Sequence, residues 1–148
     1  MTTYIEYSKA KFDYELLDTY EAGISLLGTE VKSVRNKKGK LDGAHVLIRG
    51  GEAFLVGASI PPFQVANTSE TYDAERPRKL LLSKKELAKL HTESEKKGLT
   101  IVPIRLYNAG RNIKLALAVA RGKKSHDKRE SIKARDTKRD LERELKYS

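Results

Sequence analysis

In 148 residues without a single cysteine, thirty Lys and Arg face twenty Asp and Glu, a formal net charge of +10. That length suits one domain with a real hydrophobic core, and the missing thiols exclude a disulfide framework, a cysteine nucleophile and a thiolate metal site, so a reducing cytoplasm fits. The positive balance favours polyanions, nucleic acid first, because each neutralised phosphate releases condensed counterions; an inert basic surface has the same composition.

The chain opens MTTYIEYSKAKFDYELL, with no basic region leading into an apolar stretch, and no apolar run approaches the ~20 residues that span a bilayer. Neither export nor contact with a membrane is expected. Phe12 to Leu27 alternates apolar and acidic positions and predicts one long strand bent or bulged at Gly23. Thr29 then suits the cap of a short basic helix, with Glu30 in its first turn, Val31 and Val34 facing the core and Gly39 as its stop. Lys32 and Arg35, three apart, form either a cationic edge or a solvated face.

AHVLIRGGEAFLVGASI predicts a hairpin around Arg49-Gly50-Gly51-Glu52, since paired glycines tolerate the positive φ of a tight turn; Pro61 and Pro62 should end its second strand. The polar stretch from Asn67 to Lys79, carrying Glu75, Arg76 and Arg78, is expected as an exposed loop. Ser83 and Glu86 form a capping box for a helix running to Lys97, with Leu87 and Leu90 as its apolar side and Gly98 as its end. Leu99–Tyr107 and Ile113–Ala120 predict two strands joined by the loop 108–112. Five or six curved strands with a helix before the last pair suggest a mainly β fold, an OB-type small β-barrel with short helices over residues 1–120, with a two-layer α+β sheet as the alternative.

Residues 121–148 form a basic C-terminal tail with eleven Lys and Arg against six Asp and Glu, half of the net charge. Its large apolar residues, Ile132, Leu141, Leu145 and Tyr147, are too few to offset ~1–2 kcal/mol of backbone entropy per ordered residue, so it is expected to be disordered when free. Pairs such as Glu142 with Lys146 favour a helix formed on a polyanionic surface.

Catalysis has little support. His45, His91 and His126 lack metal-ligand spacing, and no GK[ST] or G-x-G-x-x-G loop is present. The carboxylates Asp13, Glu15, Asp18 and Glu21 would suit a magnesium-dependent nuclease, but on one strand Asp13 and Glu15 point opposite to Asp18. No metal or other cofactor is expected. An RNP1-like aromatic segment is also missing, so binding by shape and backbone is expected, with Lys32, Arg35, Lys79, Lys123 and Lys124 on phosphates; each taken singly also fits a solvated charge.

Three segments, YEAGISLLGTEVKSVR at 20–35, RKLLLS at 78–83 and GKKSHDKRESIKARD at 122–136, resemble the SsrA-binding protein (small protein B) family in order and spacing. The resemblance implies a non-enzymatic cytoplasmic RNA-binding adaptor. It would bind the tRNA-like domain of transfer-messenger RNA and deliver it, with elongation factor Tu and GTP, to stalled 70S ribosomes. It further implies that Glu21 and Leu81 belong to the RNA-binding surface and that the tail becomes helical in the vacant messenger channel. Gly122 would then be a hinge, and His126, Asp127, Lys128 and Arg129 would lie near the decoding centre. A flat imidazole at His126 suits stacking on a base, and Lys128 and Arg129 suit phosphates. Two departures stand out: Tyr7-Ser8-Lys9-Ala10 replaces the family's Asn-basic-basic-Ala element, and Ser83 stands where an asparagine is common, so that its capping role is as well supported as RNA contact.

Overall fold

The computed structural model describes residues 2–64 and 71–123, together with Arg129. Strand β1 (Thr3–Glu6) and a single helical turn, α1 (Ala10–Asp13), lead into the long β2 (Tyr14–Ile24). Helix α2 (Gly28–Arg35) is followed by the hairpin of β3 (His45–Arg49) and β4 (Glu52–Val56) and by the short β5 (Arg78–Leu81). Helix α3 (Lys84–Ser94) then precedes the paired β6 (Leu99–Ala109) and β7 (Asn112–Gly122). All strands join one antiparallel sheet in the order β1-β6-β7-β2-β5-β4-β3. Because β3 comes back against β6, the sheet curls into a small, partly open OB-type barrel.

The strand periodicity fills that barrel. Leu115, Leu117 and Val119 alternate inward along β7 and share one core with Leu55, Leu80, Ile101 and Leu106. Leu90, fully buried, fastens α3 to it; burying one such side chain stabilises by ~1.5–3 kcal/mol.

The glycine hairpin is as expected: Gly50 and Gly51 have φ of 61° and 74°, and Arg49 pairs with Glu52. Elsewhere the structure corrects the expectations. The strand expected from Phe12 begins at Tyr14, because Lys9 accepts from the amides of Phe12 and Asp13 and winds α1. The irregularity of β2 lies between Leu16 and Thr19, not at Gly23. What Gly23 permits is close approach, since a Cβ there would stand 3.1 Å from Leu81 Cβ. Leu27, not Thr29, caps α2, its amide donating to Glu30 Oε1 at 2.9 Å, and the helix ends at Arg35 with Asn36, before Gly39.

Strand β4 stops at Val56, ahead of the two prolines, where Gly57 turns the chain at φ 82°. Arg78 and Lys79, expected in a loop, belong to β5, with Arg78 fully buried. Helix α3 ends at Ser94, short of Lys97, its C-cap Glu95 amide bonding back to His91. The expected loop 108–112 narrows to a two-residue turn, since Gly110 at φ 64° lets Asn108 and Ala109 pair with Ile113 and Asn112. Pro103 lacks an N–H for the ladder, and the register of β6 shifts between it and Arg105. Strand β1 was not foreseen; it is four residues long, at the sheet edge.

The capping box at α3 is formed: Ser83 Oγ accepts from the Glu86 amide at 3.2 Å, and Glu86 Oε1 accepts from the Ser83 amide at 3.2 Å and from its hydroxyl at 3.0 Å. Ser83→Ala is therefore expected to cost ~1 kcal/mol of stability in urea unfolding. RNA affinity should be unchanged in the same variant, because both hydrogen-bonding functions of the hydroxyl are already engaged within the cap.

Candidate nucleic-acid interface

Strand register decides which side chains share a face. Gly23 stands opposite Leu81 on one side and Lys114 on the other, and directly opposed residues point the same way. With a period of two, Glu21 of β2, Lys79 and Leu81 of β5, and Lys114 and Ala116 of β7 occupy one outer face. Leu81 is 57% exposed there, a large apolar side chain left uncovered. Lys79 pairs loosely with Glu52 at 3.0 Å, both half-exposed.

Helix α2 borders this face. Its Arg35 reaches across and donates from Nη2 to the Arg111 carbonyl at 3.1 Å, bridging helix and β6–β7 turn. Between them lies a groove of about 330 Å³ whose floor includes Leu26, Val31 and Leu81 and whose cations are Arg35, Arg111 and Lys114, with no acid among the described residues that line it. Three cations around apolar side chains suit a nucleotide, base against the floor and phosphate against the rim. Lys114 also borders a second depression, with Glu21, Glu86, Tyr20 and Arg105.

Under that second depression, the Arg105 guanidinium lies 5.0 Å from the centroid of the Tyr107 ring. Burial first, and then the neighbouring Glu21 carboxylate, push the Tyr107 phenol up to about 12. Glu21 acts here by proximity: the buried hydroxyl falls short of a formed hydrogen bond.

What holds α2 beside β5 is a buried ion cluster. Glu30 and Arg78 are both fully buried. Arg78 donates to Glu30 Oε2 from Nη2 at 2.5 Å and from Nε at 3.0 Å, and to the carbonyls of Ala58 and Ala74 at 3.0 and 2.9 Å. Arg76 donates to both Glu30 oxygens, and the Tyr72 hydroxyl is shared between Glu30 Oε2 at 3.1 Å and the Ile60 carbonyl at 2.7 Å. Burial alone would raise the Glu30 carboxyl; hydrogen bonds from Arg76, the Leu27 amide and Arg78 outweigh it and hold the group below its ordinary value.

The fold thus brings together Arg35 and Leu81 in one groove, Glu21 in the adjoining depression and Lys79 on the same face, with exposed Lys32 one turn before Arg35 on α2. Ser83 begins α3 just beyond Leu81, its hydroxyl committed to the cap. Gly122 and Lys123 do not join them. They lie at the far end of β7, eight residues and roughly 26 Å along the strand from Lys114, where the Lys123 amide donates to the Asp13 carbonyl at 3.0 Å. Arg129 is exposed. Lys124, His126, Asp127 and Lys128, with 130–148, lie outside the described residues.

The acidic set does not converge. Asp13, on α1 instead of the strand, accepts from the Tyr7 hydroxyl at 2.7 Å, Glu15 lies 3.6 Å from Arg121, and Glu21 faces the second depression. Among the described residues no three carboxylate or imidazole groups are placed to hold a metal ion. His91 lies 3.1 Å from Glu95, and His45 is exposed on β3. Arg105, Arg111 and Lys114 were missed in sequence; Arg111, next to the turn glycine, and the outward parity of Lys114 were the available signals.

The SmpB protein family model matches residues 4–147 of the chain. The SsrA-binding protein of Synechococcus sp. (strain JA-3-3Ab) is 50% identical over 144 residues, 97% of this chain and 94% of that protein. That of Mesoplasma florum (strain ATCC 33453 / NBRC 100688 / NCTC 11704 / L1) is 50% identical over 139 residues, covering 94% and 93%. A chain of the solved structure described as "tmRNA-SmpB: a journey to the center of the bacterial ribosome" superposes with a TM-score of 0.70 at 43% identity, over 86% of this chain and 92% of that one.

Proposed function

The chain belongs to the SmpB protein family, and from that premise we propose that it binds the tRNA-like domain of transfer-messenger RNA and acts in trans-translation on stalled ribosomes. The observation that carries the reading is the groove in which Arg35, Arg111 and Lys114 surround apolar side chains, with no acid among the described lining residues, on the face that also presents Glu21, Lys79 and Leu81. Phosphates meet the cations and an unpaired base meets Leu81, while Glu21 suits amino or imino donors on a base edge.

The protein works as an adaptor in the cytoplasm. It catalyses no bond change itself, and elongation factor Tu with GTP joins through the aminoacylated RNA. The residues after β7 are the second working part: from a hinge at Gly122, the last residue of that strand, with Lys123 and Lys124 on phosphates, the tail becomes helical in the vacant messenger channel. His126, Asp127, Lys128 and Arg129 then sit at the decoding centre. The roughly 26 Å of β7 between Lys114 and Gly122 favours this division, because a second site belongs at the end of the barrel away from the groove.

Filter binding at fixed salt tests the reading. The tRNA-like RNA is expected to bind at least about a hundredfold more tightly than a generic RNA duplex of equal length, with a log–log salt slope that drops by about 1 on Arg35→Ala. Equal affinity for both RNAs, or RNA cleavage abolished by EDTA, would overturn it.

A further inference from the structure

Resting on the RNA-binding reading, we infer that Glu30 is a positioning residue for the nucleic-acid face: one buried carboxylate sets the spacing between α2, which carries Lys32 and Arg35, and β5, which carries Lys79 and Leu81. Its two oxygens collect donors from three separate pieces of chain. The Leu27 amide belongs to the start of α2, Arg78 to β5, and Arg76 with Tyr72 to the segment leading into β5. None of these side chains enters the groove, so the effect on RNA is transmitted through the backbone of the two elements.

The transmission is short. Arg78 and Leu80 point inward along β5 while Lys79 and Leu81 point outward, so the seat of Arg78 on Glu30 sets the height of both outward neighbours. On the other side, Glu30 lies five positions before Arg35, whose guanidinium spans the groove mouth to the Arg111 carbonyl. A tilt of α2 at Glu30 shifts that contact. Slack is scarce on the third side too, where a Cβ added at Gly23 would stand only 3.1 Å from Leu81 Cβ.

An apolar packing would serve stability alone. Replacing buried ion clusters by well-packed hydrophobic residues is often neutral or stabilising, whereas directional hydrogen bonds fix angle as well as distance. A carboxylate held by two guanidiniums and a backbone amide therefore suits a geometric task, and the residues whose geometry it fixes are those of the groove.

The test is a double-mutant cycle on the full chain with the tRNA-like RNA, run at a temperature where circular dichroism shows every variant folded. Glu30→Gln is expected to weaken binding by about fivefold to tenfold and to lower the salt slope by about 1, as Arg35→Ala does. The double variant should lose less than the product of the two single losses, because part of the effect of Glu30 passes through Arg35 and the rest through Lys79 and Leu81. Should Glu30→Gln not fold, Arg76→Gln takes its place; Arg76 is 30% exposed, and its loss leaves the Glu30–Arg78 pair intact. A folded Glu30 or Arg76 variant with wild-type affinity and slope, or losses that add fully with Arg35→Ala, would overturn the inference. A wild-type protein with no preference for the tRNA-like RNA would instead fail the functional reading, and the same cycle read on duplex RNA would decide the inference.

Discussion

Ending the chain after Lys123 is expected to abolish peptide tagging on stalled ribosomes while tRNA-like RNA binding falls by less than about tenfold. The cut is placed after Lys123 because its amide holds the end of β7 to the Asp13 carbonyl at 3.0 Å. Every described residue that lines the groove, from Gly23 to Lys114, precedes it. The modest loss reflects the non-specific attraction of the removed residues 124–148, nine Lys and Arg against six Asp and Glu, and should appear as a shallower salt slope with the tRNA-like preference retained. Thermal stability should stay within ~0.5 kcal/mol, as among the described residues no core side chain lies beyond Val119 and Ala120. Parallel loss of binding and tagging would contradict the division into two working parts.

The largest stability effect is expected at the ion cluster. Glu30→Ala leaves the Arg78 guanidinium buried and uncompensated, at a cost of ~3–5 kcal/mol, against the ~5–15 kcal/mol that holds a domain of this size together, whereas Arg78→Ala leaves Glu30 paired with Arg76 and should cost less. Urea unfolding of the two variants reads the difference directly. Proton linkage gives a second signature. In the folded protein Glu30 ionises below its ordinary value of 4.5, so below that pH the unfolded chain binds more protons and acid favours unfolding. The stability supplied by the ionised carboxylate is present above pH 4.5 and is lost as pH falls through the depressed value. The gap between wild type and Glu30→Gln should therefore narrow below pH 4.5; a gap that widens in acid would contradict the role given to the carboxylate.

This cluster also marks where reading the sequence ran out. Local signals found the hairpin at Gly50-Gly51, the Ser83–Glu86 box and the strands at Leu99–Tyr107 and Ile113–Ala120, because each is decided within a few residues. Glu30 reaches Arg76 and Arg78 across 46 and 48 positions, and nothing near either end announces the pairing. A polar stretch rich in Arg, Pro and Glu therefore looked like an exposed loop although its Arg78 is fully buried.

The candidate site divides the same way. Arg35, Leu81 and Glu21 were singled out from charge or family resemblance; strand register puts Glu21 and Leu81 on one face, and Arg35 of α2 lines the groove beside Leu81. Arg105, Arg111 and Lys114 join them only once β7 is laid beside β2, with Lys114 opposite Gly23.

The measurement closest to the central claim is an NMR titration of the full chain with the tRNA-like RNA, following backbone amides. The RNA should shift resonances on the groove face, at 21–24, 31–35, 79–81 and 111–114, and leave the separate depression between Gly50-Gly51 and α3, lined by Ile48, Leu87 and His91, unchanged. Shifts confined to that other depression, with the Arg35–Leu81–Lys114 face silent, would contradict it.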